Sequence, residues 1–593
     1  MAEKIVSPGV FTRERDLSFL PAGIQNIGAA IVGPTVKGPG MVPTMVTSMA
    51  EYRQLFGDVF ESGSGANLGY YTYLTSLAAE EYLRHHDSLT VVRILAGDFS
   101  GASSFVTASG VAASSFQLHT LSDGAILNSG LPADSTAGVG ANARETTNNM
   151  LISGSKDNLR WEISNVNQSK GTFTLLIRSG NDTIKRKNIL ETHNNLSLDP
   201  NSTNYIAKRL GDSKLNLRDS GTISPYIQAS GSYPNRSKYV RVSGQRNTLN
   251  YLDENGNIRD AALTASLPQA VSGTFANGSD GNVQHPQMFY DKITATNSQG
   301  YNLGVGANGK TAYEDAINLL ANQDEYDINL LMIPGVISSL AGHSTIAASA
   351  LQMAEDRGDC FVIIDPVQFG STIADATSEA EARDTNYGAV YWPWVQVADN
   401  YATKNVFVPA SVVMGGVYAF NDKVAAEWFA PAGLNRGGID RAIQPERKLT
   451  HGNRDTLYDS NVNPLATFPN SGVVAFGQKT LQKKASALDR VNVRRLLIAA
   501  KKFIASATRF LVFEQNTSET RNRFLSIVNP YLESVQQRQG LHAFKVVMDE
   551  SNNTPDVIDR NQMVGQLFLQ PTRTAEFIII DFNILPTGAA FPE

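Results

Sequence analysis

The feature that most constrains the fold is an alternation of helical and strand patterns that stops near residue 97 and resumes near residue 310. Before the break, a buried strand over residues 27–32, a helix capped by Ser48 and a β-branched run over residues 89–95 indicate part of an α/β unit. Since such alternation is typical of a parallel sheet covered by helices, we expect one α/β core domain built from two separate segments. After the break, the predicted elements are helices over 312–322 and 345–356 and strands over 328–333, 361–364 and 406–408.

The interrupting stretch, residues 97–286, is rich in Ser, Asn, Gly, Thr and Asp, and its short apolar runs lie between turn dipeptides. This pattern predicts one or two inserted β-rich domains. Residues 430–470, by contrast, read as a loop-rich stretch that leads to the C-terminal region. The predicted boundaries are an N-terminal extended arm over 1–20, core segments over 21–96 and 287–470, the insertion over 97–286 and a C-terminal domain over 471–593.

The C-terminal region contains the strongest helical periodicity in the chain, between residues 489 and 514. A second helical pattern follows a cap near residue 516, and Pro530 should kink or divide it. Three strand-like runs close the sequence, over residues 543–548, 566–569 and 577–584. The predicted class is therefore a multidomain α/β and α+β protein with extended N- and C-terminal arms.

Composition excludes several classes of protein. With 42% hydrophobic and 18% charged residues the chain has the composition of a folded protein. The 50 Lys and Arg against 56 Asp and Glu give no global reason to expect polyanion binding. A single cysteine, Cys360, rules out an intrachain disulfide and a Cys-based zinc site. Apolar runs are far shorter than the ~20 residues of a membrane span, and the first ten residues lack a signal-peptide pattern, so we expect neither membrane insertion nor secretion.

One motif favours an enzyme, because residues 304–311, GVGANGKT, match the phosphate-binding pattern GxxxxGK[ST]. Asp365, at the end of an apolar strand, could then serve as a metal ligand. A phosphate-binding loop must leave a buried strand, however, and residues 296–303 contain no β-branched run. The same glycines fit a loop that returns from the insertion and begins a helix. No other pattern nominates a catalytic, cofactor-binding or metal-binding residue, so we expect none.

Charge is concentrated near the C-terminus, where residues 479–545 carry thirteen Lys or Arg against four Asp or Glu. Such asymmetry favours attraction to an acidic region of another copy or of a separate partner. Nucleic acid is the competing partner, although aromatic residues are not interleaved with the cations as stacking would require. A solvated basic face is the third interpretation.

Short sequence phrases run in a fixed order from the N-terminus to the C-terminal helix. They are SPGVFTRERD at 7–16, VGPTVKGPGMVPTMVTSMAEYRQLFG at 32–57, LTVVRI at 89–94, DRGDCFVIID at 356–365, GLNRGGI at 433–439, NPLATFPNSGVVAFGQKTL at 463–481 and RRLLIAAKKFI at 494–504. In this order and spacing the chain resembles the contractile tail sheath proteins of myovirus-type bacteriophages.

The resemblance implies a structural subunit without enzymatic activity or cofactor. Copies would polymerise as stacked rings into a helical sheath around a tail tube, and contraction would drive the tube through the host cell envelope for genome delivery. The implied partners are further copies, the tail tube protein, and the baseplate and tail terminator proteins, with no direct nucleic acid contact and no stable membrane insertion. The implied location is the virion tail, assembled in the host cytoplasm.

The resemblance also implies inter-subunit residues at both ends and a C-terminal domain that faces the tube. The arm residues are Ser7, Pro8, Gly9, Val10, Phe11 and Arg13, and the C-terminal strand residues are Phe577, Ile578, Ile579, Ile580 and Phe582. The tube-facing residues are those of the basic helix, predicted to lie opposite its apolar stripe: Arg494, Arg495, Lys501 and Lys502. The alternatives are a phosphate-binding-loop enzyme and a nucleic-acid-binding assembly protein that uses this basic helix.

Overall fold

The structure is a computed structural model that describes residues 27–62, 69–110, 113–128, 157–182, 186–283, 290–469 and 471–576. The predicted inter-subunit residues of the arm and of the C-terminal strand lie outside this part of the chain. Within it, no helix combines the length and the apolar character that a bilayer span requires.

The elements follow the predicted alternation in outline. The strands are β1 (Gly28–Gly33), β2 (Thr44–Val46), β3 (Val59–Ser62), β4 (Gly69–Thr72), β5 (Leu89–Arg93), β6 (Gly101–Thr107), β7 (Ser114–Asp123), β8 (Leu159–Asn167), β9 (Thr172–Ser179), β10 (Ile189–Ser197), β11 (Lys214–Arg218), β12 (Tyr226–Ser230), β13 (Val240–Ser243), β14 (Ser272–Thr274), β15 (Ile328–Ile337), β16 (Phe361–Asp365), β17 (Gly388–Trp392), β18 (Val395–Asp399), β19 (Lys404–Val408), β20 (Ala442–Pro445), β21 (Val462–Phe468), β22 (Gly472–Ala475), β23 (Leu541–Val547) and β24 (Gln566–Pro571). The helices are α1 (Met49–Phe56), α2 (Leu74–Leu83), α3 (Ile206–Leu210), α4 (Asn308–Leu320), α5 (His343–Arg357), α6 (Ile373–Glu381), α7 (Ala410–Val424), α8 (His451–Asp459), α9 (Val491–Thr508), α10 (Ser518–Gln537) and α11 (Pro555–Asp559).

The core is one eight-stranded sheet in the order β2-β5-β1-β15-β16-β17-β21-β22. Its central pairs are parallel, and the edge pairs β2–β5 and β21–β22 are antiparallel. Every residue of β1 is buried, as expected of a strand covered on both faces. Ala29 and Ile31 enter the apolar cluster that includes α2 and α7, whereas Ala30 and Val32 enter the cluster that includes α4 and α5.

The sheet confirms an α/β core interrupted by an insertion. Strands β1, β2 and β5 precede the insertion, β15 follows it, and the two segments join where β1 pairs in parallel with β15 through Ala29 and Leu330. The insertion itself is β-rich, with sheets β10-β9-β8-β14, β13-β7-β6 and β11-β12. The exact domain boundaries remain predictions.

A buried arginine ties the base of the insertion to the core. Arg93, at the end of β5, donates from Nη1 to the carbonyls of Gly38 and Asp123, both at 2.7 Å. Its Nη2 lies 3.5 Å from a carboxylate oxygen of Asp280. The guanidinium therefore joins three segments that are distant in sequence.

Two predictions about the second core segment need correction: the strand near residues 406–408 is present but lies outside the main sheet, and residues 430–470 contain regular elements. The strand near residues 406–408 is β19, which pairs antiparallel with β18 in a separate small sheet with β20. The stretch over residues 430–470 is not merely loop-rich, because it contains β20, α8 and β21. Strand β21 pairs in parallel with β17 and so extends the main sheet. The sequence VNPLATF did not predict this strand, because an internal proline argues against a strand inside a sheet.

The C-terminal domain is α+β, with α9 and α10 packed near the β23–β24 hairpin. Pro530 lies inside α10, which runs unbroken from Ser518 to Gln537, so of the two predicted effects the division of the helix is wrong and the kink stays a prediction. Proline removes a backbone hydrogen bond, but packing can hold such a helix together. Here Val528 and Leu532, on either side of Pro530, are fully buried in the C-terminal apolar cluster.

Candidate functional site: the seam between the central sheet and the C-terminal helices

Helix α9 crosses the amino ends of three neighbouring strands of the main sheet. Its side chains contact Asn386 just before β17, Asp359 just before β16, and Asp327 just before β15. The contacts follow the spatial order of the strands, which lie about 4.8 Å apart. The predicted basic helix is therefore the element that joins the C-terminal domain to the core.

Arg495 makes the strongest contact of this seam. The side chain is 5% exposed, and its two terminal nitrogens donate to the two carboxylate oxygens of Asp422 at 2.8 and 2.5 Å. The guanidinium also lies 4.8 Å from the centre of the Tyr418 ring. Such a two-point pair fixes orientation as well as charge. Arg495 thereby fastens α9 to the C-terminal end of α7.

Lys502 lies further along α9 and extends the same seam. Its ammonium group donates to the carboxylate of Asp327 and to the carbonyl of Ile328 at 2.6 Å, and it lies 3.3 Å from Asp359. Burial alone would raise the pKa of Asp359, but the bonds and charges of Arg357 and Lys502 lower it below its usual value. Asp359 is thus held as a carboxylate between two cations.

Arg494 and Glu427 complete the buried part of the seam. Arg494 donates to Asn386 at 2.6 Å and stacks over the Tyr387 ring at 4.2 Å, and burial lowers the pKa of its guanidinium. Burial, followed by repulsion from Asp422, raises the pKa of the Glu427 carboxyl. The seam therefore holds charges that depend on one another for compensation.

The prediction that Arg494, Arg495, Lys501 and Lys502 share an exposed face is wrong for three of them. Arg494 and Arg495 are 4% exposed and Lys502 is 9% exposed, whereas Lys501 is exposed and makes one long contact of 3.4 Å with the Gly358 carbonyl. Sequence spacing placed these cations opposite the apolar stripe, but it could not show that acidic groups of the core cover that side. Contact with a tube stays a prediction, for which Lys501 is the available cation among the four.

The phosphate-binding motif lacks the preceding strand that such a site needs, and its lysine is already paired. No strand precedes Gly304 in residues 290–303, and α4 begins at Asn308, as expected of a loop that begins a helix. Lys310 pairs with Glu314 one helical turn away, at 2.6 Å. The candidate metal ligand Asp365 is fully buried and accepts from the backbone N–H and the hydroxyl of Ser411 at 2.9 and 2.6 Å. Burial raises its pKa to about 7.

Cys360 is buried directly before β16, and burial raises the pKa of its thiol to about 12. Across the described ranges no group of three or more His, Cys, Asp or Glu side chains is arranged to hold a metal ion.

Glu576, the last residue that the structure describes, has a well-anchored carboxylate. Glu576 accepts from Arg490 at 2.7 and 3.0 Å, from the Tyr458 hydroxyl at 2.9 Å and from Gln478 at 3.1 Å. These bonds and the charge of Arg490 lower the pKa of Glu576 in spite of its partial burial. The predicted inter-subunit strand, outside the described residues, follows directly after this anchor.

Comparison with known proteins assigns the domains on both sides of the seam. Residues 309–481 match the family described as phage tail sheath protein central domain, and residues 483–584 match the phage tail sheath C-terminal domain. Residues 309–584 are therefore similar to the central and C-terminal domains of phage tail sheath proteins. The curated tail sheath protein of Vibrio phage KVP40 is 32% identical over 327 residues, which is 50% of this chain and 48% of that protein. The tail sheath protein of Enterobacteria phage T4 is 31% identical over 315 residues, or 49% of this chain and 47% of that protein.

The sheath-related chain thus spans about half the length of the curated relatives it matches. The fold likeness extends further. A sheath tail protein from Listeria innocua superposes with a TM-score of 0.53 over 92% of this chain and 95% of that chain, at 10% identity. This likeness concerns the fold alone, and it agrees with the mixed α/β and α+β class derived from the sequence.

Sequence reasoning found the cations of the seam but missed their partners. Asp327, Asp359, Asp422 and Glu427 are scattered over a hundred residues of the core, and nothing in their local sequence marks them. The only available signal was the overall balance, since a basic C-terminal region within a chain of net charge -6 requires acidic segments elsewhere.

Proposed function

We propose that this chain is the structural subunit of a contractile phage tail sheath. Copies polymerise into a helical sleeve around a tail tube, and contraction of the sleeve drives the tube through the host cell envelope for genome delivery. The observation that carries the proposal is the match of two consecutive sheath domains over residues 309–584, which share one buried, charged seam.

The proposal assigns no enzymatic activity and no cofactor. Contraction then draws its free energy from a change between two sets of contacts among copies, with the extended sleeve trapped after assembly. The partners are the tail tube protein and the baseplate and tail terminator proteins, the location is the virion tail, and assembly takes place in the host cytoplasm. The insertion lies on the outside of the sleeve.

The terminal segments supply the connections between copies in this proposal. Residues 7–16 are too short and too polar to bury a core, and an isolated strand gains little until its backbone groups join a ladder. Main-chain pairing with a neighbouring sheet would supply strength that depends little on side chains. Residues 577–584, which follow the anchored Glu576, are the second such segment.

Electron microscopy of the purified full-length chain, alone and with isolated tail tubes, tests the proposal. We expect hollow sleeves of regular diameter, and a variant without residues 1–16 should stay folded and monomeric. A full-length Lys310→Ala variant serves as the control and should assemble as the wild type does. Monomers at every concentration, with and without tubes, would contradict the proposal, as would magnesium-dependent ATP binding that Lys310→Ala abolishes.

A further inference from the structure

An apolar knob projects from the turn between α9 and α10. Val512 is 61% exposed and Phe513 is completely exposed, although both are large apolar residues. The backbone of Phe513 has φ +74°, a conformation that bulky residues rarely adopt. An aromatic side chain held outward in this way is the kind of group that anchors protein interfaces.

The residues that flank the knob fix it to the C-terminal domain. Leu511, directly before Val512, is buried in the C-terminal apolar cluster. On one side Arg523 lies over the Phe510 ring at 5.4 Å, and on the other Asn516 donates to the carbonyl of Gln562 at 2.8 Å. Because its base is held, the knob keeps its shape and little freedom is lost when a partner covers it.

A groove of complementary character lies at the opposite end of α9. It has a volume of about 610 Å³, and its walls include the aromatic side chains of Trp428, Phe429 and Phe476. Two amide oxygens of the groove residues, on Gln478 and Asn492, are buried and accept no hydrogen bond from the described residues. An occupant with an aromatic side chain and N–H groups would satisfy both features.

The charges around the two surfaces are opposite in sign. The groove carries Arg436, Arg454 and Arg573, none of which forms an ion pair with a carboxylate in the described part of the chain. Its two carboxylates already have partners, since Asp455 contacts His451 and Glu576 pairs with Arg490. Glu514, directly after Phe513, is exposed and likewise has no cationic partner among the described side chains. An apolar residue followed by a carboxylate therefore matches an aromatic groove lined with arginines.

We propose that the knob of one copy, Val512 to Glu514, inserts into the Trp428–Phe476 groove of a second copy. The two surfaces of one copy cannot meet, because Asn492 of the groove lies in the first turn of α9 and the knob follows the end of that helix, about 27 Å away for 18 residues. The contact is therefore head-to-tail, and a head-to-tail contact that does not close into a ring propagates as a helix. This inference rests on the proposed helical polymer and names one of its contacts.

Assembly of the full-length chain tests the contact. Phe513→Asp should raise the concentration needed for sleeve formation by at least about tenfold, since loss of a buried aromatic anchor has an effect of this size. Ile223→Asp is the matched control, because Ile223 is 87% exposed at a turn of the insertion, and it should assemble as the wild type does. Equal assembly of the two variants would overturn the inference while leaving the sheath function intact. Failure of the wild type itself to polymerise would instead remove the proposed function.

A charge exchange tests the pairing, and a cross-link identifies the occupant. Glu514→Arg and Arg454→Glu should each weaken assembly, and the chain that carries both should recover. A chain with Phe513→Cys and Ala432→Cys should form a ladder of disulfide-linked multimers on oxidation, since its native Cys360 is buried. No recovery in the double variant and no ladder in assembled sleeves would show that the groove is filled by the chain's own C-terminal residues or that the knob contacts a different protein.

Discussion

Replacing Arg495 by alanine should release the C-terminal domain from the core. The side chain is 5% exposed, its pair with Asp422 has two bonds of 2.8 and 2.5 Å, and Asp422 itself is 17% exposed. Without the guanidinium, Asp422 has no ion-pair partner among the described side chains, and its repulsion of Glu427 already contributes to the raised pKa of the Glu427 carboxyl. The loss is therefore an uncompensated buried charge rather than one missing bond.

The burial of the pair sets the expected loss of stability in Arg495→Ala. Removing one partner of a buried pair costs about 3–5 kcal/mol, whereas removing an exposed lysine changes stability by less than about 0.5 kcal/mol. Lys501 lies on the same helix and is exposed, so Lys501→Ala is the matched control. Because about 1.4 kcal/mol corresponds to a factor of ten, amides of α9 should exchange roughly two to three orders of magnitude faster in Arg495→Ala than in the control.

Hydrogen exchange of the full-length chain, followed by mass spectrometry of α9 peptides, measures this difference. A second variant separates charge from packing: Arg495→Met combined with Asp422→Leu should restore much of the protection, because a buried ion pair can be replaced by apolar residues with little loss. Equal exchange in Arg495→Ala and Lys501→Ala would refute the view that this pair holds the seam together.

Three further predictions concern the core and its insertion. Burial raises the pKa of Asp365 from 3.8 to about 7, so the stability contributed by its protonated carboxyl is complete below pH 3.8 and is lost as the pH rises through 7. The melting temperature of the wild type should therefore fall relative to that of Asp365→Asn between pH 5 and 8. Arg93→Met should lower the free energy of unfolding by about 3 kcal/mol, because Asp280 loses its buried cation. The insertion should then be cut faster in limited proteolysis, and unchanged cleavage would contradict this. Lys310→Ala should leave calorimetric titrations with magnesium-ATP as flat as those of the wild type. It should shift stability by no more than about 0.5 kcal/mol, since Lys310 forms an ion pair with Glu314 of its own helix.

Local signals in the sequence predicted the elements that depend on local physics. Ser48 and Glu51 have capping-box spacing, and in the structure the Ser48 hydroxyl accepts from the Glu51 N–H while the Glu51 carboxylate accepts from the Thr47 N–H. The apolar runs of β15 and β16 likewise became buried parallel strands. Such features need no information about distant parts of the chain.

Predictions failed where contacts with residues distant in the sequence determine the structure. Strand β21 contains Pro464, and the structure compensates because the Asn463 amide donates to the Val390 carbonyl of the neighbouring strand at 3.0 Å. In the same way, a cation on a helix looks solvent-exposed in the sequence until its partner is known. Lys502 is buried only because Asp327 and Asp359 meet at the amino ends of two adjacent strands.

The seam also limits where a sleeve of such subunits can change shape. Breaking it inside one copy would separate Arg495 from Asp422 and Lys502 from Asp327 at once, and it would also open the apolar contacts that Val491 and Ile498 of α9 make with the core. Contacts between copies, such as those proposed for the exposed knob and the terminal segments, can be broken without opening the interior of either copy. If the sleeve contracts as proposed, the core and the C-terminal domain therefore move together, and the rearrangement takes place between copies.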